Sequence, residues 1–203
     1  TEDMEKLMKA FWPGPMTMIV PRLPVVPDVT TGGLDTVGLR MPSHPAALEL
    51  IRLSGCPIAA PSANLSGKPS PTTAKHVIDD LSGKIDAIIC SGDCQVGIES
   101  SVIDMTEDTP MILRPGIITK EDFEKALGKT VALDPTLNRR PDMFNNGDAG
   151  ADTEEDFKPR APGMKYKHYA PKAEMIIFEG ESQAARRAIE AERTAREDAG
   201  QKV

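Results

Sequence analysis

The chain has 203 residues, 39% of them hydrophobic and only 4% aromatic, so its core must be built from Val, Ile, Leu, Met and Ala. A net charge of −7 argues against a protein that coats nucleic acid through a basic surface, although a basic cleft inside an acidic shell remains compatible with it. No apolar run reaches the roughly 18 residues of a membrane-spanning helix, and no charged start with an apolar middle marks a secretory leader, so a cytoplasmic protein without membrane contact is expected.

In chain order, "TEDMEKLMKAF" carries helical spacing, with Met4, Leu7, Met8 and Phe11 on one face. Pro13 and Pro15 bracket a turn, and Met16 to Val20 read as a strand. "DTVGLRMP" is a short strand ending in a cation and a proline. "HPAALELIRLSG" is a helix with His44 as its cap, Ala47, Leu48, Leu50 and Ile51 inward and Gly55 as its stop. "CPIAA" reads as another strand, followed by the polar loop "PSANLSGKPSP". "TTAKHVIDDLSGK" is a helix capped by Thr72 or Thr73, and "IDAIICSG" a further strand. "ESSVIDMT" and "PMILRPG" read as paired strands joined by the turn at Glu107 to Pro110. "TKEDFEKALG" is a helix with Thr119 as N-cap and acidic residues in its first turn.

Beyond residue 133 the composition changes. An acidic, glycine-bearing stretch, "NNGDAGADTEEDF", precedes the basic and aromatic "PRAPGMKYKHYAPK"; "AEMIIFEG" and "SQAARRAIEAERTARED" then read as one strand and one helix. The expected organisation is an α+β domain with a twisted mixed sheet over residues 1–133, a linker over 134–172, and over 173–203 the first β–α unit of a Rossmann-like second domain. The chain opens almost inside a helix and its last β–α unit is too small to bury its own face, so truncation at both ends is expected.

Few residues carry a recognisable chemistry. Cys56, Cys90 and Cys94 are odd in number and lack framework spacing, which suits a reducing compartment. Cys90 and Cys94 have no second Cys or His pair beside them to complete a metal site, so buried or idle thiols are expected. There is no GxxxxGK[ST] phosphate loop, no HExxH and no Ser–His–Asp order. What stands out instead is a row of small hydrogen-bonding groups past a strand end: Ser62, Asn64, Ser66, Ser70, Thr72 and Thr73. Such loops gather ligands, but turn chemistry alone also accounts for a Pro-Ser-Gly surface loop. Arg40 and Arg114 each end an apolar strand just ahead of a proline, where a guanidinium can present a bidentate fork to a carboxylate or phosphate; an edge ion pair is the plainer alternative. Ser100 and Ser101 open a strand, and alternation points one inward and one outward, with Glu99 beside them. "KYKHY", at 165–169, holds both tyrosines of the chain, as if to fold over a ligand or to dock one domain on another.

Taken in order, "FWPGPMT", "VGLRMPSHP", "PIAAPSANLSGKPSPTT", "GIESSVID" and "LRPG" resemble the YrdC-type L-threonylcarbamoyladenylate synthases, and "PGMKYKHYAPKAE" is similar to the linker of their two-domain members. The resemblance implies an enzyme that joins L-threonine, bicarbonate and ATP, with Mg2+, into threonylcarbamoyl-AMP and pyrophosphate. The product would pass to a tRNA threonylcarbamoyltransferase for N6-threonylcarbamoyladenosine formation, and binding of tRNA or double-stranded RNA is a further expectation. By the same resemblance Thr36, Ser62, Asn64, Ser70, Arg114 and Tyr166 would meet ATP, and Arg40, Ala60, Ser100 and His168 L-threonine. No covalent nucleophile is required, and none is assigned. The family's N-terminal KxR and SxxKP motif has no counterpart here, which leaves the triphosphate short of cations. The alternatives are a non-catalytic YrdC-like module that binds nucleotide or RNA, and a hydrogenase-type carbamoyl-transfer domain, which would bring zinc fingers that are not in the sequence.

Overall fold

The computed structural model describes residues 1–138 and 176–202. The chain divides into two compact units, Thr1–His168 and Tyr169–Val203.

The first unit is built on one mixed sheet. Strands β1 (Met16–Pro21), β2 (Thr36–Arg40), β3 (Ser101–Asp104), β4 (Met111–Arg114) and β5 (Ala132–Leu133) lie in the order β2-β1-β3-β4-β5. β1 pairs antiparallel with β2 and parallel with β3; β4 runs antiparallel to β3 and parallel to β5. All four residues of β3 are buried, as befits a central strand whose run Val-Ile has no polar alternation. Its one charged residue, Asp104, accepts bonds from the Thr106 N–H (2.9 Å) and hydroxyl (2.6 Å), so the buried carboxylate is satisfied locally.

Helices α1 (Glu2–Phe11) and α5 (Lys120–Leu127) cover one face of this sheet. The apolar stripe of α1 turns Leu7 fully inward, and Phe11 meets Phe123 edge to face with centroids 5.4 Å apart. Around this pair gather Met16 and Met18 of β1, Ile103 of β3, Ile112 of β4 and Val131. Complete burial of a ring such as Phe123 contributes about 1.5–3 kcal/mol. Both helices carry the starts expected of them: Thr1 caps α1, and at α5 Thr119 and Asp122 form a reciprocal capping box.

On the opposite face Ile19, Val102 and Leu113 form a smaller buried cluster. Between β1 and β2 the chain makes a short helix, α2 (Asp28–Thr31), that the sequence reading did not anticipate. Arg22 pins this connection: it donates to Val26 O and Leu34 O, both at 2.9 Å, and pairs with Asp28 at 2.7 Å. Helices α3 (Pro45–Ser54) and α4 (Ala74–Leu81) follow, the first capped by the His44 ring and the second by Thr73 rather than Thr72.

Several expectations need correction. "CPIAA" and "IDAIICSG" are not strands: neither joins the ladder, and Ile58 and Ile89 are exposed at 44% and 66%. An apolar, β-branched run states that a segment tolerates extension, whereas a strand also needs a hydrogen-bonded neighbour, and the five-stranded sheet offers these two none. The inward face assigned to α3 holds only in part, since Ala47, Leu48 and Ile51 are half-buried but Leu50 is exposed. Of the two readings of the thiols, buried or idle, burial fails: all three are free and exposed. β5 and the 3-10 turn Pro135–Asn138 are additions to the elements expected.

In the second unit the described residues form one helix, α6 (Ser182–Asp198), capped by Glu181 and laced by Arg193 with Glu190 and Glu197. The strand expected over "AEMIIFEG" is unpaired in its described part, residues 176–179. Among the described residues no helix is long and apolar enough to cross a membrane.

Candidate functional site

The site begins with a row across the sheet. Arg40 of β2 stands opposite Thr17 of β1, Thr17 beside Val102 of β3, and Val102 opposite Arg114 of β4. Registered partners project to one side of a sheet, so Arg40 belongs with Thr17 to the face opposite α1 and α5; the register shifts between Val102 and Ile103, and Arg114 is placed on that face by its bonds to Ser100. Ser100 precedes Val102 by two residues and lies on the same side. It is the hub: its hydroxyl is 2.8 Å from the Thr17 hydroxyl, and Arg114 donates to it from Nη2 at 3.0 Å. Nε of Arg114 also donates to the Ser100 carbonyl at 3.0 Å, which holds the guanidinium plane by two bonds to one residue. A guanidinium only donates, so Ser100 Oγ accepts from Arg114. In the Thr17–Ser100 bond either hydroxyl can be the donor.

Ser101 faces the other way. Its hydroxyl donates to Ile118 O (2.8 Å) and accepts from Ile118 N–H (3.1 Å), while its amide bonds Pro15 O. Both serines are therefore buried, and the expected inward–outward split is one between two faces of the sheet. This tie is possible because Gly116 has no side chain: a Cβ there would fall 2.6 Å from Ser101 N and 2.8 Å from Glu99 O.

Arg40 is exposed, and among the described residues its side chain makes neither an ion pair nor a hydrogen bond, which leaves its fork for a ligand anion. Thr36 lies on the same face of β2, four residues away opposite Pro21, or about 13 Å along the strand. Gly38 between them keeps the face clear over Thr17 and Ile19, whose side-chain carbons lie 3.3 Å from where its Cβ would be.

The polar loop reaches this row by a bond from the Ser70 hydroxyl to Glu99 Oε1 at 2.8 Å, next to Ser100. Asn64 is turned inward: its amide nitrogen donates to Leu65 O and Lys68 O, both at 2.9 Å, and shapes the loop. Its Oδ1 is buried with no hydrogen-bond partner among the described residues. Ala60 and Ser62 are exposed in the irregular segment that leads into the loop. Thus Ser70, Ser100, Arg114 and, by register, Arg40 come together; Thr36 lies farther along the same face. Tyr166 and His168 lie outside the described residues. Sequence reasoning did not single out Thr17, a polar residue within the apolar run "MTMIV", nor Asp80, whose burial distinguishes it from the adjacent Asp79 only once α4 is in place.

Chemically the row offers two guanidinium groups and three hydroxyls, the equipment for holding anions in fixed geometry. No group of three or more His, Cys, Asp or Glu fit for a metal occurs among the described residues.

The family described as "Telomere recombination", covering Sua5, YciO and YrdC, matches residues 1–116. The chain belongs to the Sua5/YciO/YrdC family. The family described as the C-terminal domain of threonylcarbamoyl-AMP synthase matches residues 118–203. The threonylcarbamoyl-AMP synthase of Pyrococcus abyssi is 51% identical over 93% of this chain and 51% of its own length; that of Bacillus subtilis is 48% identical over 88% and 47%. Among solved structures, P. abyssi Sua5 complexed with L-threonine superposes with a TM-score of 0.83 at 48% identity, over 98% of this chain and 54% of that one. Escherichia coli YciO gives 0.53 at 32% identity over 58% of each chain. The chain spans about half the length of the curated Sua5-type relatives that it matches. The mixed α/β architecture expected from sequence agrees with the Sua5 fold.

Proposed function

We propose that this chain carries the amino-acid and nucleotide site of a threonylcarbamoyl-AMP synthase. The observation that carries the proposal is the registered row Arg40–Thr17–Val102–Arg114 with Ser100 at its hub, in a fold whose P. abyssi counterpart is complexed with L-threonine.

In this reading the amine of L-threonine, in its neutral form, attacks the bicarbonate carbon, the N–C bond forming as water leaves, or attacks CO2 derived from bicarbonate, the N–C bond forming as the amine gives up a proton. An oxygen of the resulting carbamate then attacks the α-phosphorus of ATP, the new P–O bond forms and pyrophosphate departs. The protein supplies no electron pair to either step, so what it must supply is placement and charge compensation. Arg40 holds the threonine carboxylate as a bidentate ion pair. Ser100 meets threonine through its hydroxyl, and Ala60 offers backbone groups beside it. Arg114 reaches the adenylate while anchored on Ser100, which ties the two substrates to one residue. Thr36, Ser62, Asn64 and Ser70 line the nucleotide. Tyr166 and His168 are proposed to complete the ATP and threonine contacts respectively.

Mg2+ is proposed as the partner of the ATP phosphates. The donor set described here fits that role and not a protein cage: Mg2+ prefers oxygens and keeps waters, and phosphate oxygens would be its main ligands. When bound it would neutralise phosphate charge. Delivery of the product to a tRNA-modifying transferase, contact with tRNA and a cytoplasmic location belong to the same proposal. Nothing observed favours a non-catalytic module over the enzyme.

Pyrophosphate release by the protein with ATP, bicarbonate and L-threonine tests this reading. Omission of L-threonine or of bicarbonate is expected to abolish release; release that continues without either one would refute it.

A further inference from the structure

We propose that Asp80 is the positioning residue of the nucleotide-facing loop, clamping residues 64–68 from α4 so that Ser62 and Ser70 are presented at fixed places. The inference rests on the preceding assignment of that loop to ATP, and it adds a residue that makes no contact with ligand.

Asp80 sits in the last turn of α4 and is only 7% exposed. Its neighbour Asp79 behaves as a surface acid, paired with Lys75 at 2.6 Å one turn away. Asp80 instead turns to a segment twelve to fifteen residues earlier. Oδ2 accepts the Leu65 N–H at 3.2 Å, and Oδ1 accepts the Lys68 ammonium. Lys84 donates to the Asp80 carbonyl at 2.8 Å and closes the end of the helix beneath the pair. Lys68 holds the Asp80 carboxyl below the usual carboxylate range, against burial, which raises it; the group is an anion at neutral pH.

The loop is gripped from within as well. Asn64 bridges the Leu65 and Lys68 carbonyls, and Lys68 N–H bonds Leu65 O at 3.0 Å. Leu65 and Lys68 are thus each bound twice, once by Asn64 and once by Asp80. The turn between them becomes a staple with Ser62 on one side and Ser70 on the other. On the far side Ser70 reaches Glu99, the neighbour of Ser100. A buried charge with both oxygens committed to one short loop is costly to keep, and removing it leaves the Leu65 N–H and the Lys68 ammonium without an acceptor. Arg40 and Ser100 stand on the sheet and do not depend on this staple.

The test is calorimetric titration of Mg–ATP and, separately, L-threonine into the wild type, Asp80→Asn, Lys68→Met and Lys68→Arg, with hydrogen exchange read at the Leu65 amide and at β3. Asp80→Asn and Lys68→Met are expected to weaken Mg–ATP about tenfold, to leave L-threonine within twofold, and to speed exchange at Leu65 in Asp80→Asn with β3 unchanged; Lys68→Arg should restore ATP affinity. Unchanged ATP affinity, equal weakening of both ligands, or loss of protection at β3 together with Leu65 would each overturn the assignment. Should the wild type bind neither ligand, the functional reading fails, and Leu65 protection in Asp80→Asn equal to the wild type would still overturn the clamp on its own.

Discussion

Arg114→Met is expected to lower kcat/KM for threonine- and bicarbonate-dependent pyrophosphate release by about 100-fold or more, the range found when one preorganised donor at a developing charge is lost. Arg114 makes two bonds to Ser100, at the carbonyl and the hydroxyl, both at 3.0 Å. Its removal therefore takes a cation from the nucleotide and releases the hub that faces threonine. Methionine fills similar volume in β4, so the core formed by Ile103 and Ile112 is expected to persist. Lysine should not rescue: a single ammonium cannot reproduce the two parallel bonds of the guanidinium. Steady-state rates together with a melting curve check the point. A loss under tenfold, or full recovery in Arg114→Lys, would mean that the fork is not what the site uses.

Gly116→Ala is expected to destabilise the first unit by about 3 kcal/mol, at the upper end for overpacking, with activity falling alongside. The added methyl would meet Ser101 N, Ser101 Oγ and Glu99 O, all within 2.8 Å. Two of these three atoms are main chain and cannot rotate away. Relief requires β3 to withdraw from the residue 115–118 turn, which breaks the Ser101–Ile118 pair of bonds and shifts Ser100 with it. Chemical denaturation of the variant measures this directly. A stability within 0.5 kcal/mol of the wild type, the usual band for neutral surface changes, would contradict the tight approach.

The elements legible in the sequence were those whose signal is local. The stripe Met4, Leu7, Met8 and Phe11 predicted α1, and Thr119 with Asp122 predicted the start of α5. The turn from Glu107 to Pro110 between two apolar runs predicted the β3–β4 hairpin, which is antiparallel as expected. What failed was non-local. Residues 56–60 and 85–92 have strand composition but no ladder partner, and nothing in their own residues reveals that. The site divides in the same way. Arg40 and Arg114 stood out because each ends an apolar strand just ahead of a proline, but that pattern left an edge ion pair equally open, and only the resemblance gave them ligands. Thr17 was not, because its importance comes from lying across from Arg40 and 2.8 Å from Ser100, eighty-three positions later in the chain. Asp80 escaped for a related reason: "IDD" on a helix reads as solvent-facing charge until Leu65 and Lys68 fold back on it.

L-threonine binding to the wild type and to Arg40→Ala, measured by titration calorimetry in parallel, tests the central claim that a strand-end cation of this sheet, Arg40, holds an amino-acid carboxylate. Loss of a charged hydrogen-bonded pair is worth about 1.5–3 kcal/mol, so the variant should bind at least tenfold more weakly while its melting temperature stays that of the wild type. Equal affinity in the two proteins would contradict the account.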